Sequence, residues 1–335
     1  MINRFLHRLF ERRSLPAPSP AGPVAPDDLV PMTDEHAAAA EPDPSAWFRA
    51  RLVAARGTLA ERHPETPVPA VIALDALVAP TEQLVPALPA WAGDFLAQCG
   101  PGADAATLLR AAGRDAALAE VILRHADHPS VRLPGRGAPA TLREAIDRLG
   151  PVGARNAAVD AAVRATLAPG ATGERLAGKV WEHSRRVADL ARHLAPAFGA
   201  PHDDAWLAGL LHDVGKLVIL RTLLPARADG SAPASSVVAW PVARDALLQL
   251  HEAIGGLTVM QWGLGQHVAR AVAAHHRRPV PQVRDVLGEA VHVAERADLA
   301  ALRGQMLDLT RVWDEARITA THGRVAGLLL REVEA

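Results

Sequence analysis

The sequence predicts an all-α protein, a helical bundle of two lobes behind a proline-rich tether. Three observations carry that prediction. From residue 81 onward apolar side chains recur at helical spacing, β-branched alternation is almost absent, and Gly or Pro punctuates the pattern at short intervals. With 335 residues and 49 % hydrophobic content, the chain has enough apolar side chain for a substantial core.

In chain order, residues 1–14 set Ile2, Phe5, Leu6, Leu9 and Phe10 against Arg4, His7, Arg8, Arg12 and Arg13, the pattern of a basic amphipathic helix. Two readings stand there: peripheral membrane or partner contact through residues 1–13, and a helix docked on the protein itself. Residues 15–45 carry Pro16, Pro18, Pro20, Pro23, Pro26, Pro31, Pro42 and Pro44 and cannot bury enough apolar surface to offset ordering, so they read as a disordered linker. A helical extension occupies 46–80, with a helix over 46–63 that Pro64, Pro67 and Pro69 end. The N-terminal lobe, 81–170, is expected to hold helices over 90–99, 103–112, 116–126, 142–149 and 153–167. The break at Ala168, Pro169 and Gly170 opens a histidine-bearing lobe, 171–302, with helices over 176–195, 203–220, 242–262, 265–276 and 283–302. A C-terminal helix over 306–333 occupies most of 303–335, and the stretch 227–239 reads as a lid or insertion.

Composition excludes several classes of function. Lys plus Arg number 36 against 37 Asp plus Glu, which argues against a nucleic-acid partner held through phosphates. Cys99 is the only cysteine, so neither an intramolecular disulfide nor a cysteine zinc cluster can form. No apolar stretch approaches the length of a membrane span, and the expected compartment is the cytoplasm.

Chemistry concentrates in the second lobe. His183 shares a helical face with Val187, Leu190, Ala191 and Leu194, and a core-facing imidazole needs a partner. His212 and Asp213 interrupt the apolar run 206–211, where unpaired polar groups are costly and a metal ion would compensate. Lys216, four residues after His212, is expected on the same helical face, where it could meet a phosphate or carboxylate. Gly209 and Gly215 permit close approach of neighbouring backbone. His275 continues the stripe Val268, Ala271 and Val272, His276 adjoins it, and His251 lies on another helix. Imidazole and carboxylate donors suit Fe, Mn or Zn, as one ion or a bridged pair. The other histidines, His125 and His292 among them, read as surface or core residues without function.

The stretch Leu207-Ala208-Gly209-Leu210-Leu211-His212-Asp213-Val214-Gly215-Lys216-Leu217 resembles the signature of HD-domain proteins, with Trp181-Glu182-His183-Ser184 similar to their upstream histidine segment. Three further segments resemble the HDOD branch: Leu84-Val85-Pro86-Ala87-Leu88-Pro89, the run from Leu142 to Gly150, and His251 through Gly255 followed by Trp262 and His275-His276. The likeness covers roughly Thr81 to Leu302. It implies an HDOD-type bundle in which the second lobe is HD-like, with a metal ligand set of His183, His212, Asp213, His251, His275, His276 and Glu295. Glu295 stands in Val291-His292-Val293-Ala294-Glu295, where the family usually has Asp, and helical geometry keeps Asp298 as an alternative.

HDOD proteins resemble metal-dependent phosphohydrolases but are commonly regulators without catalysis. The related HD-GYP branch carries Gly-Tyr-Pro after its paired histidines, whereas Arg277-Arg278-Pro279 follows here and the chain contains no tyrosine. The first expectation is therefore a bacterial signal-transduction module that binds a protein partner or a nucleotide or phosphate ligand. The alternative is a phosphodiesterase or nucleotidase with a His/Asp dinuclear site, in which Asp213 and Lys216 are catalytic.

Overall fold

A computed structural model describes residues 43–99, 103–127, 137–167, 171–224, 238–276, 285–316 and 318. The amphipathic start, most of the tether, all but residues 238 and 239 of the 227–239 stretch, and the chain after residue 318 lie outside these residues. Every regular element among the described residues is helical.

The helices are α1 (Ser45–Arg62), α2 (Val68–Asp75), α3 (Thr81–Leu84), α4 (Ala90–Gln98), α5 (Ala105–Ala112), α6 (Ala116–Ala126), α7 (Leu142–Thr166), α8 (Ala171–Phe198), α9 (His202–Leu211), α10 (Val214–Leu223), α11 (Trp240–Gln261), α12 (Gln266–Ala273), α13 (Val286–Leu302) and α14 (Leu309–Ala316). Local chemistry sets many of the starts. Asp104, Asp115, Thr141 and Asp285 each accept a backbone N–H from the first turn that follows, satisfying a donor the helix itself leaves open. The proline cluster that ends α1 also begins α2, because Pro69 lies in its first turn, where a missing N–H costs nothing.

Two apolar cores organise these elements. The smaller joins Phe95, Leu108, Leu118, Ile122, Ala145, Ile146, Ala154 and Ala158, from α4 to α7. The larger gathers α8 to α13 together with α1, α2 and the end of α7, where Val159, Val163 and Leu167 are buried. α7 therefore belongs to both cores, and it bends at Gly150, whose φ of 67° suits glycine. The expected split between 142–149 and 153–167 falls at that bend.

The extension 46–80 is part of the larger core. Phe48 and Leu52 are fully buried, the Phe48 ring lies against Gly256 of α11, and Arg49 donates to the carbonyls of Val78 and Ala79 and to Thr81 Oγ1. Trp262 Nε1 donates to Pro86 O at 2.9 Å, so two segments far apart in sequence meet. Truncating Phe48 empties a closed site, and Phe48→Ala should cost about 3–5 kcal/mol of unfolding free energy in urea titrations.

Some expected boundaries change. The single helix over 203–220 is two helices, with His212 and Asp213 in the turn between α9 and α10. The helix over 265–276 ends at Ala273, and Ala274, His275 and His276 form a turn. α14 occupies only the early part of 306–333 among the described residues. Breaks at both histidine sites let adjacent residues point into one space, which a continuous helix would spread by 100° per residue.

Candidate metal centre

Four elements bring the histidines together. α8 supplies His183, the α9–α10 turn supplies His212 and Asp213, α11 supplies His251, and the turn after α12 supplies His275 and His276. α13 adds Glu295 from the opposite side. Gly209 and Gly215 make the approach possible: a Cβ on Gly209 would lie 2.7 Å from Ala188 Cα, and one on Gly215 would collide with the His251 carbonyl.

Asp213 sits at the centre. Its Oδ2 lies 3.9 Å from His183 Nε2 and 3.5 Å from His212 Nε2, while its Oδ1 lies 3.7 Å from His251 Nε2 and 3.8 Å from His275 Nε2. Lys216 Nζ is 2.7 Å from the same carboxylate, across the helix break and not on a face shared with His212. Burial alone would raise the Asp213 carboxyl, but His212, the Lys216 ammonium, His251 and His275 overcome it, the imidazoles acting in the acid range where they too take up protons, and hold the group well below the usual carboxylate range. Burial drives His212 down to about 3, and drives His251 and His275 well below the ordinary imidazole value. These rings are therefore neutral at pH 7.

Their hydrogen bonds decide which nitrogen is bare. His212 Nδ1 donates to Gly209 O and His275 Nδ1 to Val272 O, each at 2.7 Å, and His183 Nδ1 donates to Asp298 Oδ2 at 2.6 Å. A neutral ring with its proton on Nδ1 presents a lone pair at Nε2. His212 Nε2, bare in its neutral ring, faces His183 Nε2 at 3.2 Å. Two nitrogens on one ion at bonds of about 2.1 Å stand about 3.0–3.4 Å apart, so the contact has the spacing of a shared cation.

Glu295 points the same way. It is buried, its Oε2 makes no hydrogen bond, and burial followed by the nearby Asp213 charge pushes it up to about 8. Three groups of donors each lie within 4.8 Å of one another: His183, His212 and Glu295; His251, His275 and His276; and His212, Asp213 and His275. The donor set, the orphaned Glu295 oxygen and the facing Nε2 atoms all fit divalent metal. Asp298 is engaged elsewhere, bonded to His183 Nδ1 and to Arg186 Nε at 2.7 Å, so it orients His183 from behind.

Several supporting residues escaped the sequence reading. His292 Nδ1 donates to His275 O at 2.7 Å and fixes the turn after α12; its place one helical turn before Glu295 was the available signal. Arg51 of α1 donates to Glu252 Oε2 at 2.8 Å and to Ala273 O, and Glu252 Oε1 accepts the His276 N–H at 3.1 Å. No local pattern marks Arg51, because its partners lie some two hundred residues away. Arg51→Gln should weaken Mn²⁺ or Zn²⁺ affinity about 10–100-fold by calorimetry, as loss of groups that orient ligands does, while far-UV circular dichroism stays unchanged.

With this geometry in view, the comparisons with known proteins become informative. The HDOD domain matches residues 85–278, more than half of the sequence. The chain belongs to the HDOD family. Among solved structures, this HDOD chain is similar to a candidate phosphohydrolase from Shewanella amazonensis, with 20% identity and a TM-score of 0.58 over 76% of this chain and 93% of that one. A candidate metal-dependent phosphohydrolase from the same organism has 17% identity and a TM-score of 0.52, over 77% and 99%. A candidate signal transduction protein from Marinobacter aquaeolei has 19% identity and a TM-score of 0.55, over 88% and 65%. At such identities these relatives establish the HDOD fold. Among curated proteins none matches. No helix among the described residues is long and apolar enough to cross a membrane.

Proposed function

We propose that this HDOD protein is a signalling protein whose HD-like lobe is a divalent-metal centre acting on phosphate esters. The observation that carries the reading is the facing pair of Nε2 atoms, His183 and His212, at 3.2 Å beside an ionised Asp213. In this reading His183, His212 and Glu295 hold one ion, His251, His275 and His276 hold a second, and Asp213 serves both. Fe, Mn or Zn suits these donors. Such ions supply Lewis-acid charge for a phosphoryl oxygen and lower the pKa of water.

The chain's own groups do the rest. Lys216 Nζ is partly exposed at the rim, and by turning from Asp213 to a phosphoryl oxygen it neutralises charge that develops there. Asp298 and the carbonyls of Gly209 and Val272 keep His183, His212 and His275 protonated on Nδ1, so that their Nε2 atoms stay available. His276, more exposed than its neighbours, borders the entrance with His183 and Lys216.

A second reading is sensing without turnover, in which metal and phosphate ligand are bound and a protein partner reads the result. The near-complete burial of His212, His251 and His275 favours it, since little of the cluster meets solvent. A screen of phosphate monoesters, diesters and nucleotides with added Mn²⁺ or Fe²⁺ separates the two. Turnover that Asp213→Ala abolishes, and that Lys216→Met lowers about 10²–10³-fold in kcat, supports catalysis. Stoichiometric metal with no turnover supports sensing, and equal trace metal in wild type and Asp213→Ala defeats both.

A further inference from the structure

A second cavity lies between the two cores, away from the histidine cluster. It measures about 540 Å³, within the range of small-molecule sites, and α4, α6, α7 and α8 line it. Three guanidinium groups, Arg124, Arg164 and Arg185, belong to its wall, and Trp91 and Val121 give it apolar surface. Deep in the wall Asp160 is 5 % exposed, and its Oδ1 is buried without a hydrogen-bond partner. The other oxygen, Oδ2, stands 3.7 Å from His125 Nδ1 and 3.9 Å from Arg185 Nη1, too far for strong hydrogen bonds. A buried carboxylate oxygen left without a donor is costly, and a ligand N–H would satisfy it.

We propose that this cavity binds a nucleoside phosphate, with the phosphate held by Arg124 and Arg164, the base against Trp91 and Val121, and an N–H of the base, from the ring or its amino group, donated to Asp160. Each element of the wall answers one part of such a ligand. Guanidinium groups match phosphate oxygens in paired geometry, a flat apolar wall accepts a base, and a base N–H satisfies the orphaned acceptor. Since Arg185 comes from α8 and Arg124 from α6, the ligand would span both cores.

The test is calorimetry on the full chain with GMP, AMP and inorganic phosphate in the presence of EDTA. Saturable binding of at least one nucleotide is expected, weakened about tenfold or more in Arg124→Gln/Arg164→Gln, since each lost charge-assisted hydrogen bond is worth at least that much. Both arginines are exposed, so that variant keeps its fold. Asp160→Asn should weaken the nucleotides while leaving inorganic phosphate unchanged. Absence of nucleotide binding at millimolar concentration, or affinity unaltered in the arginine double variant, overturns the proposal. So does binding that Asp213→Ala removes, because that would assign the ligand to the histidine centre.

Discussion

Purified wild-type protein is expected to hold divalent metal in stoichiometric amount, and Asp213→Ala to hold only traces. The expectation follows from the position of Asp213, whose two oxygens stand 3.5–3.9 Å from four imidazole nitrogens on four separate elements. Removing the carboxylate leaves neutral rings and a single carboxyl, Glu295, to offset the charge of a cation, and the two halves of the cluster lose their common member. Elemental analysis measures the loss directly. Metal also binds the folded chain alone, so at 100 times Kd it should stabilise wild type by about 2.7 kcal/mol, and Asp213→Ala by nothing. Glu295 provides a second readout. Burial raises it to about 8 in the metal-free chain, so at pH 7 it carries a proton that a cation must displace, and binding should release about one proton. Calorimetry in buffers of different ionisation enthalpy counts that proton. A metal-loaded Asp213→Ala protein, or loading without proton release, would remove the centre described above.

Gly215→Ala is expected to damage both fold and site. The substitution improves intrinsic helix propensity in α10 by about 1 kcal/mol. Against this, the new Cβ would overlap the His251 carbonyl and lie 2.8 Å from Gly255 N, both backbone atoms that cannot rotate away. Overpacking of this kind costs about 3 kcal/mol or more, so the clash wins and the midpoint of thermal unfolding should fall. Separating α10 from α11 also draws Asp213 away from His251, so metal affinity should fall in the protein that remains folded. Gly57→Ala is the natural control, because a Cβ there meets nothing within 4 Å. An unchanged midpoint in Gly215→Ala would show that the two helices can part without penalty.

How much was legible in the sequence differs between elements and site. Helices α4 to α8 were readable because their apolar faces and caps are local: Asp104, Asp115 and Thr141 each act on residues within three positions. The run 206–220 misled, because both α9 and α10 are buried nearly all round and the helical period carries no sign of the break between them. The choice between Glu295 and Asp298 was likewise open in the sequence, since both lie on the buried face of α13. Their surroundings differ in the structure, where Asp298 is bonded to His183 and Arg186 while Glu295 offers an oxygen within 4.8 Å of donor atoms of His183 and His212.

By itself the sequence determined the helical class, the identity of the polar groups set into apolar runs, and the family to which they belong, because each of these is written in short stretches of chain. Only tertiary structure decided that Arg51, Glu252 and His292 brace the paired histidines and that Asp160 faces a cavity lined by arginines. The reason is physical: each depends on contacts between helices far apart in the chain, and no periodicity within one helix encodes what stands across from it.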